Sequence, residues 1–187
     1  MCGKNSKSGF TLIELLIAFA LIVVLMGIVV PSFKNLLPRR EREAFISKVN
    51  AITRLAWQRA LIERKVHKIV FNFKNNEFWM EEPTGTTKLG EMEFKRVKGG
   101  YAITSGKIPK SIKIKNFIIE GFDEMTRRGA GGTDESWFFI MPDGLTQTVI
   151  INFLDAKQLN AAGKPRQFGL VLNPFNAQFK VYDSFQK

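Results

Sequence analysis

The feature that most constrains this chain is an apolar run placed almost at its start. From Phe10 to Val30 the sequence reads FTLIELLIAFALIVVLMGIVV, twenty-one residues whose one strongly polar member is Glu14. At about 1.5 Å rise per residue, a helix of that length covers roughly 30 Å, the thickness of a bilayer core. Without this run the remainder is polar enough to form a soluble domain. The residues ahead of it, MCGKNSKSG, are short, polar and basic. An ordinary secretory signal carries its apolar stretch before the cleavage site; here the order is reversed.

Composition adds bounds rather than answers. The 187 residues carry a formal net charge of +11 and are 45% apolar, which suits one modest domain with an appendage. Lys4 and Lys7 precede the run, and other charges recur as alternations such as Lys113 and Lys115, the solvated face of a strand. Charge alone implies a weak affinity for anionic lipid or nucleic acid, not specific binding. The only cysteine is Cys2, so a disulfide within the chain and a four-cysteine zinc site are both excluded. No apolar stretch precedes Cys2, which argues against a lipoprotein signal.

The junction GFTLIELLIA, with Gly9 closing the basic segment, closely resembles the class III signal of type IV pilins and type II secretion pseudopilins. That resemblance implies cleavage by a prepilin peptidase between Gly9 and Phe10, followed by N-methylation of Phe10. It also gives Glu14 a role. A carboxylate inside a lipid-crossing helix costs at least a few kcal/mol, so a partner is expected. In the family this glutamate pairs with a neighbouring subunit's N-terminal amine, which neutralises both charges and sets the register between helices. Pro31 falls where many family members carry a helix-weakening proline; lacking a backbone N–H, it is expected to kink the helix. Lys34, Arg39, Arg40 and Arg42 follow the run, and a positive-inside count would put them in the cytoplasm. The peptidase reads the leader on the cytoplasmic face, so the resemblance implies the opposite orientation. The N-terminus is then cytoplasmic, with one pass through the inner membrane and a periplasmic C-terminal domain.

Beyond the run the pattern becomes amphipathic. Phe45, Val49, Ile52, Ala56 and Ala60 recur at steps of three and four, one face of a helix from Arg39 to Arg64. Ile46, Leu55 and Ile62 widen that stripe, while Arg40, Glu41, Arg42, Glu43, Lys48 and Arg54 fall largely outside it. Trp57 reads as core packing. Pro38 is expected to kink or break the helix. After Lys65 the period becomes two. Strands are predicted at Val66–Phe73, Asn76–Glu82, Met92–Lys98, Ile112–Ile119, Trp137–Met141, Thr148–Phe153, Phe168–Asn173 and Gln178–Tyr182. Asn75–Asn76 and NPFNA read as turns, and Arg127–Thr133 and Ala161–Pro165 as loops. The expected fold is α+β: a long N-terminal helix, half membrane-bound and half amphipathic, packed on a mostly antiparallel β-sheet. The expected divisions are 1–9 leader, 10–30 membrane and filament helix, 31–65 amphipathic helix, and 66–187 β-rich periplasmic domain.

Little in this sequence suggests catalysis. His67, the only histidine, lies beside Lys65 and Lys68 and reads as exposed on a strand edge. No nucleophile motif frames it. Glu81–Glu82 reads as a charged strand end. Asp123, Glu124, Asp134 and Glu135 bracket the glycine segment and could gather a calcium ion, but their spacing matches no EF-hand and they read as solvated loop charges. No metal, cofactor, small-molecule substrate or enzymatic activity is expected. Arg127 and Arg128 in the glycine segment, with Lys157, Lys164 and Arg166, could contact phosphates, but no aromatic-interleaved basic stripe accompanies them.

Three stretches extend the resemblance past the N-terminus: ITRLAWQRALIERK running into VHKIVFNF, then FFIMPDGLTQTVIINF, then the closing FGLVLNPFNAQFKVYD. Together they resemble the GspH/FimT group of minor pseudopilins and minor pilins. The function this implies is a structural subunit of a type II secretion pseudopilus, with other pseudopilins, the prepilin peptidase and the inner membrane as partners. The alternative is a FimT-like minor pilin that binds DNA during natural transformation. Residues 91–122 carry no recognisable motif and read as an insertion or variable loop.

Overall fold

The computed structural model describes residues 11–87, 90–98, 100, 102–128, 134–160 and 162–187, without the side chains of 28–38 and 127–128. Two compact units divide the chain, with the boundary between Arg39 and Arg40.

Helix α1 (Leu12–Glu63) opens in the first unit. Thr11 stands just ahead of it, its carbonyl accepting from the N–H of Leu15 at 3.2 Å. Its Oγ1 faces the N–H of Glu14 at 3.4 Å, in the manner of a helix N-cap. The helical assignment carries through Pro31 and Pro38, so neither proline ends the helix. Their side chains, and with them the kink expected at Pro31, lie outside the described residues.

In the second unit, residues 40–63 of α1 are rich in alanine, arginine and glutamate and contain neither glycine nor proline, which favours helix throughout. The helix stops where Arg64 adopts a left-handed φ of 51°, a common helix-ending conformation. Among the described residues ten strands follow and pair antiparallel in two five-stranded sheets, where the sequence predicted one. In the first sheet β3 (Met92–Arg96), β2 (Glu77–Thr86), β1 (His67–Asn72) and β7 (Glu135–Ile140) lie in that order, and β4 (Ser105–Lys107) also pairs with β2. The second runs β10 (Gln178–Tyr182), β9 (Pro165–Asn173), β8 (Val149–Leu159), β5 (Ile112–Ile119) and β6 (Phe122–Asp123). A short helix, α2 (Glu124–Arg128), follows β6. The α+β expectation is met.

The core lies between α1 and the two sheets. Phe45, Val49, Ile52, Ala56 and Ala60 are all buried, as their spacing predicts. The ring of Phe45 stands 5.9 Å from Phe78 on β2 and 5.5 Å from Phe153 on β8, so one helix residue touches both sheets. Phe71 on β1 meets Phe117 on β5 at 5.3 Å, and Phe138 on β7 meets Phe179 on β10 at 6.1 Å. Each buried phenylalanine contributes on the order of 1.5–3 kcal/mol by leaving water, so these bridging rings are the main reason the sheets hold together. Trp57 packs against this core as expected, its Nε1 donating to the carbonyl of Gly144 at 2.8 Å. Gly144 has φ +86°, and a Cβ there would lie 3.0 Å from Leu61 Cδ2, so any side chain in the turn after Pro142 and Asp143 would be both strained and crowded.

Several expectations are corrected. Ile62 does not widen the buried stripe; it is 81% exposed, because the helix face turns outward there. Arg42 is buried rather than solvated. Residues 91–122 are not a loop: they supply β3, β4 and β5, and β5 lies inside the second sheet between β8 and β6. Glu81–Glu82 is not a strand end, since β2 continues to Thr86.

Candidate functional site

Two places deserve a functional reading: the apolar helix of the first unit and the polar groups of the second. From Thr11 to Gly27 every residue is exposed, on all sides of the helix. Leu12, Ile13, Leu15, Leu16, Ile17 and Phe19 all stand open, although leucine, isoleucine and phenylalanine favour burial. A helix apolar all round is stable only in lipid or among other apolar helices. Glu14 is also exposed and is the sole charged residue of this stretch. No helix among the described residues is long and apolar enough to cross a membrane. The described side chains of the apolar run stop at Gly27, so the stretch 28–30 that completes the expected span lies outside them. Gly9 and Phe10, the expected cleavage and methylation positions, lie outside the described residues too.

The basic residues singled out for nucleic acid are not brought together as free charges. Arg166, on β9, donates to Asp183 at 2.8 Å, and Lys157 bonds Glu41 at 2.9 Å. Lys164 is exposed in the turn between β8 and β9, where its backbone N–H donates to Asn160 Oδ1 at 3.0 Å. Arg127 and Arg128 sit at the end of α2 rather than in a glycine loop, and their side chains lie outside the described residues. Lys68 lies over the rings of Trp137 at 4.5 Å and Phe94 at 5.5 Å, and Arg96 over Trp79 at 4.7 Å. These cations are engaged on the surface of the first sheet.

Among the carboxylates expected to be solvated, Asp123 is instead structural. Its Oδ1 accepts from the N–H of Phe117 at 3.1 Å and of Met125 at 3.0 Å, and its Oδ2 from Asn116 Nδ2 at 2.6 Å. It thereby caps α2. Glu135 accepts from Asn72 Nδ2 at 2.8 Å. His67 overturns its expectation most clearly: the side chain is fully buried, where the sequence placed it at an exposed edge. β1 is an inner strand, flanked by β2 and β7, and the end of α1 lies just before it. The lysines beside His67 hid this, since flanking charges report on the neighbours' exposure and not on its own. Thr11 was also missed as a cap, although Thr-x-x-Glu ahead of an apolar run is the sequence signature of one.

The comparisons with known proteins bear on the N-terminus. Residues 4–30 match the prokaryotic N-terminal methylation motif. The prepilin-type expectation is therefore met over that segment. No curated protein sequence matches the chain. Among solved structures, the minor pseudopilin EpsH from the type 2 secretion system of Vibrio cholerae is similar at a TM-score of 0.46 and 7% identity. That likeness covers 75% of this chain and 92% of the other. A second structure of the same pseudopilin gives a TM-score of 0.43 and 8% identity, over 74% of this chain and 97% of that one. With both scores below 0.5, these likenesses decide neither fold nor function.

Proposed function

We propose that this chain is a minor, GspH-like pseudopilin, a structural subunit of a type II secretion pseudopilus and not an enzyme. The observation that carries the reading is the helix from Leu12 to Met26, exposed and apolar on every side, inside a matched N-terminal methylation motif. Removing an apolar side chain from water stabilises by about 1.5–3 kcal/mol, so a stretch of this kind is driven into lipid first and then against other helices. Glu14 makes the second step selective. In an apolar surrounding its carboxylate needs a cation, and the N-terminal amine of a neighbour, freed by cleavage at Gly9, supplies one. The helix then anchors the subunit in the inner membrane and enters the filament, while the β-rich unit lies in the periplasm and meets neighbouring pseudopilins. The cleaving and methylating enzyme would be a prepilin peptidase acting between Gly9 and Phe10.

Replacing the carboxylate tests this pairing. In the native host, the wild-type protein should co-fractionate with sheared or overproduced pseudopili. Glu14→Leu should lower that fraction by roughly tenfold or more, the loss of about 1.4 kcal/mol or more of pairing, with its membrane level unchanged. Equal incorporation of the two proteins would contradict the charge-pairing role.

A further inference from the structure

The end of α1 and the start of the first sheet bring three ligand-type side chains together. Glu63 is the last residue of α1, His67 opens β1, and Glu82 lies on β2. Glu63 and His67 are four residues apart across the left-handed turn at Arg64. The β1–β2 register pairs Lys68 with Glu81, which places Glu82 one step on, opposite His67. One ligand atom from each of the three lies within 4.8 Å of the others.

His67 supplies an independent sign that something belongs there. Its side chain is 0% exposed, yet its Nε2 has no hydrogen-bond partner. That nitrogen faces Glu63 Oε2 at 3.7 Å, too far for a hydrogen bond. The other ring nitrogen, Nδ1, is 3.2 Å from the carbonyl oxygen of Lys65. A carbonyl only accepts, so Nδ1 carries the hydrogen, and in the neutral ring Nε2 presents its lone pair on the side of Glu63. A carbonyl holding the far N–H is also how metal-binding histidines are fixed in orientation.

The surroundings suit a cation. Glu63 stands at the negative end of the helix dipole, where a carboxylate is unfavourable and a positive charge favourable, and the last helical turn holds no basic residue. Side chains of Glu63 and Glu82 are 36% and 41% exposed, which leaves an entry path and room for a water ligand. Arg59 Nη1 stands at the rim, 3.4 Å from Glu82 Oε2, and steadies that carboxylate. We propose that Glu63, His67 and Glu82 bind a divalent transition-metal ion of the zinc type, which ties the end of α1 to the β1–β2 hairpin. Tetrahedral zinc with bonds of about 2.0–2.1 Å sets ligand atoms roughly 3.4 Å apart, within reach of small rotations of the two glutamates. One imidazole nitrogen and two carboxylates select such an ion over calcium, which takes about six to eight oxygens.

The test uses the full chain in detergent, free of any polyhistidine tag and carrying Cys2→Ser so that no thiol competes. Equilibrium dialysis against zinc chloride should retain about one zinc ion per chain, and zinc should raise the melting temperature while calcium and magnesium leave it unchanged. Glu63→Gln and Glu82→Gln should each weaken zinc binding by roughly tenfold or more, with the metal-free melting temperature close to wild type. Both positions are partly exposed, so these variants are expected to fold, which His67→Asn in the core need not do. No retained zinc, or undiminished binding in the Glu63→Gln/Glu82→Gln double variant, would overturn the proposal.

Discussion

The guanidinium of Arg42 is buried, with Nε and Nη1 lacking hydrogen-bond partners among the described residues. It stands over the ring of Phe168, 5.6 Å from the centroid. Its pKa is lowered, chiefly by desolvation and then by repulsion from Arg166, against the attraction of Asp183, Asp155 and Glu43. A buried charge whose donors are only partly matched adds little stability, and apolar replacements of similar volume are often neutral or better. Arg42→Met should therefore unfold in urea within about 1 kcal/mol of wild type, or above it. A loss of about 3 kcal/mol or more would show that the charge is well paired after all. Neither Arg42 nor His67 could be placed from sequence alone. Arg42 sits between two glutamates and His67 beside lysines, and the polar neighbours suggested water for both. Burial of a polar residue depends on what folds over it from elsewhere, which local composition does not report.

Edge strands show how elements were legible and where they were not. β10 ends its sheet, and the backbone of Phe179 is satisfied by a residue far away in the chain. Asn50 on α1 accepts from the Phe179 N–H at 2.7 Å and donates Nδ2 to its carbonyl at 3.2 Å. Asn50→Ala removes both bonds and leaves two part-buried backbone groups unmade. Unfolding titrations should show a loss of about 1–3 kcal/mol, and a change below about 0.5 kcal/mol would mean that water replaces Asn50 there. β10 itself, Gln178–Tyr182, was readable from alternation after a turn, and so was β5, Ile112–Ile119. The face of α1 from Phe45 to Ala60 was equally plain, because a step of three or four survives any arrangement of what covers it. Alternation says which residues share a face, not which sheet a strand joins, so two sheets were read as one. Short β4 and β6 were missed, since strands of three and two residues carry too little pattern.

At the scale of the whole molecule, the chain couples a helix that water does not favour with a unit that buries its own core. The methylation motif covers residues 4–30 and was visible in the sequence because it is contiguous. The metal-type cluster of Glu63, His67 and Glu82 was not, because a helix end, a buried strand and a hairpin register had to meet before it existed. The proposed function requires that the N-terminal segment is processed and then used for assembly. Its most direct test is mass spectrometry of the membrane-extracted protein from a host expressing a prepilin peptidase. The expected product is a chain that begins at Phe10 and carries one N-terminal methyl group; a chain still beginning at Met1 would rule this processing out.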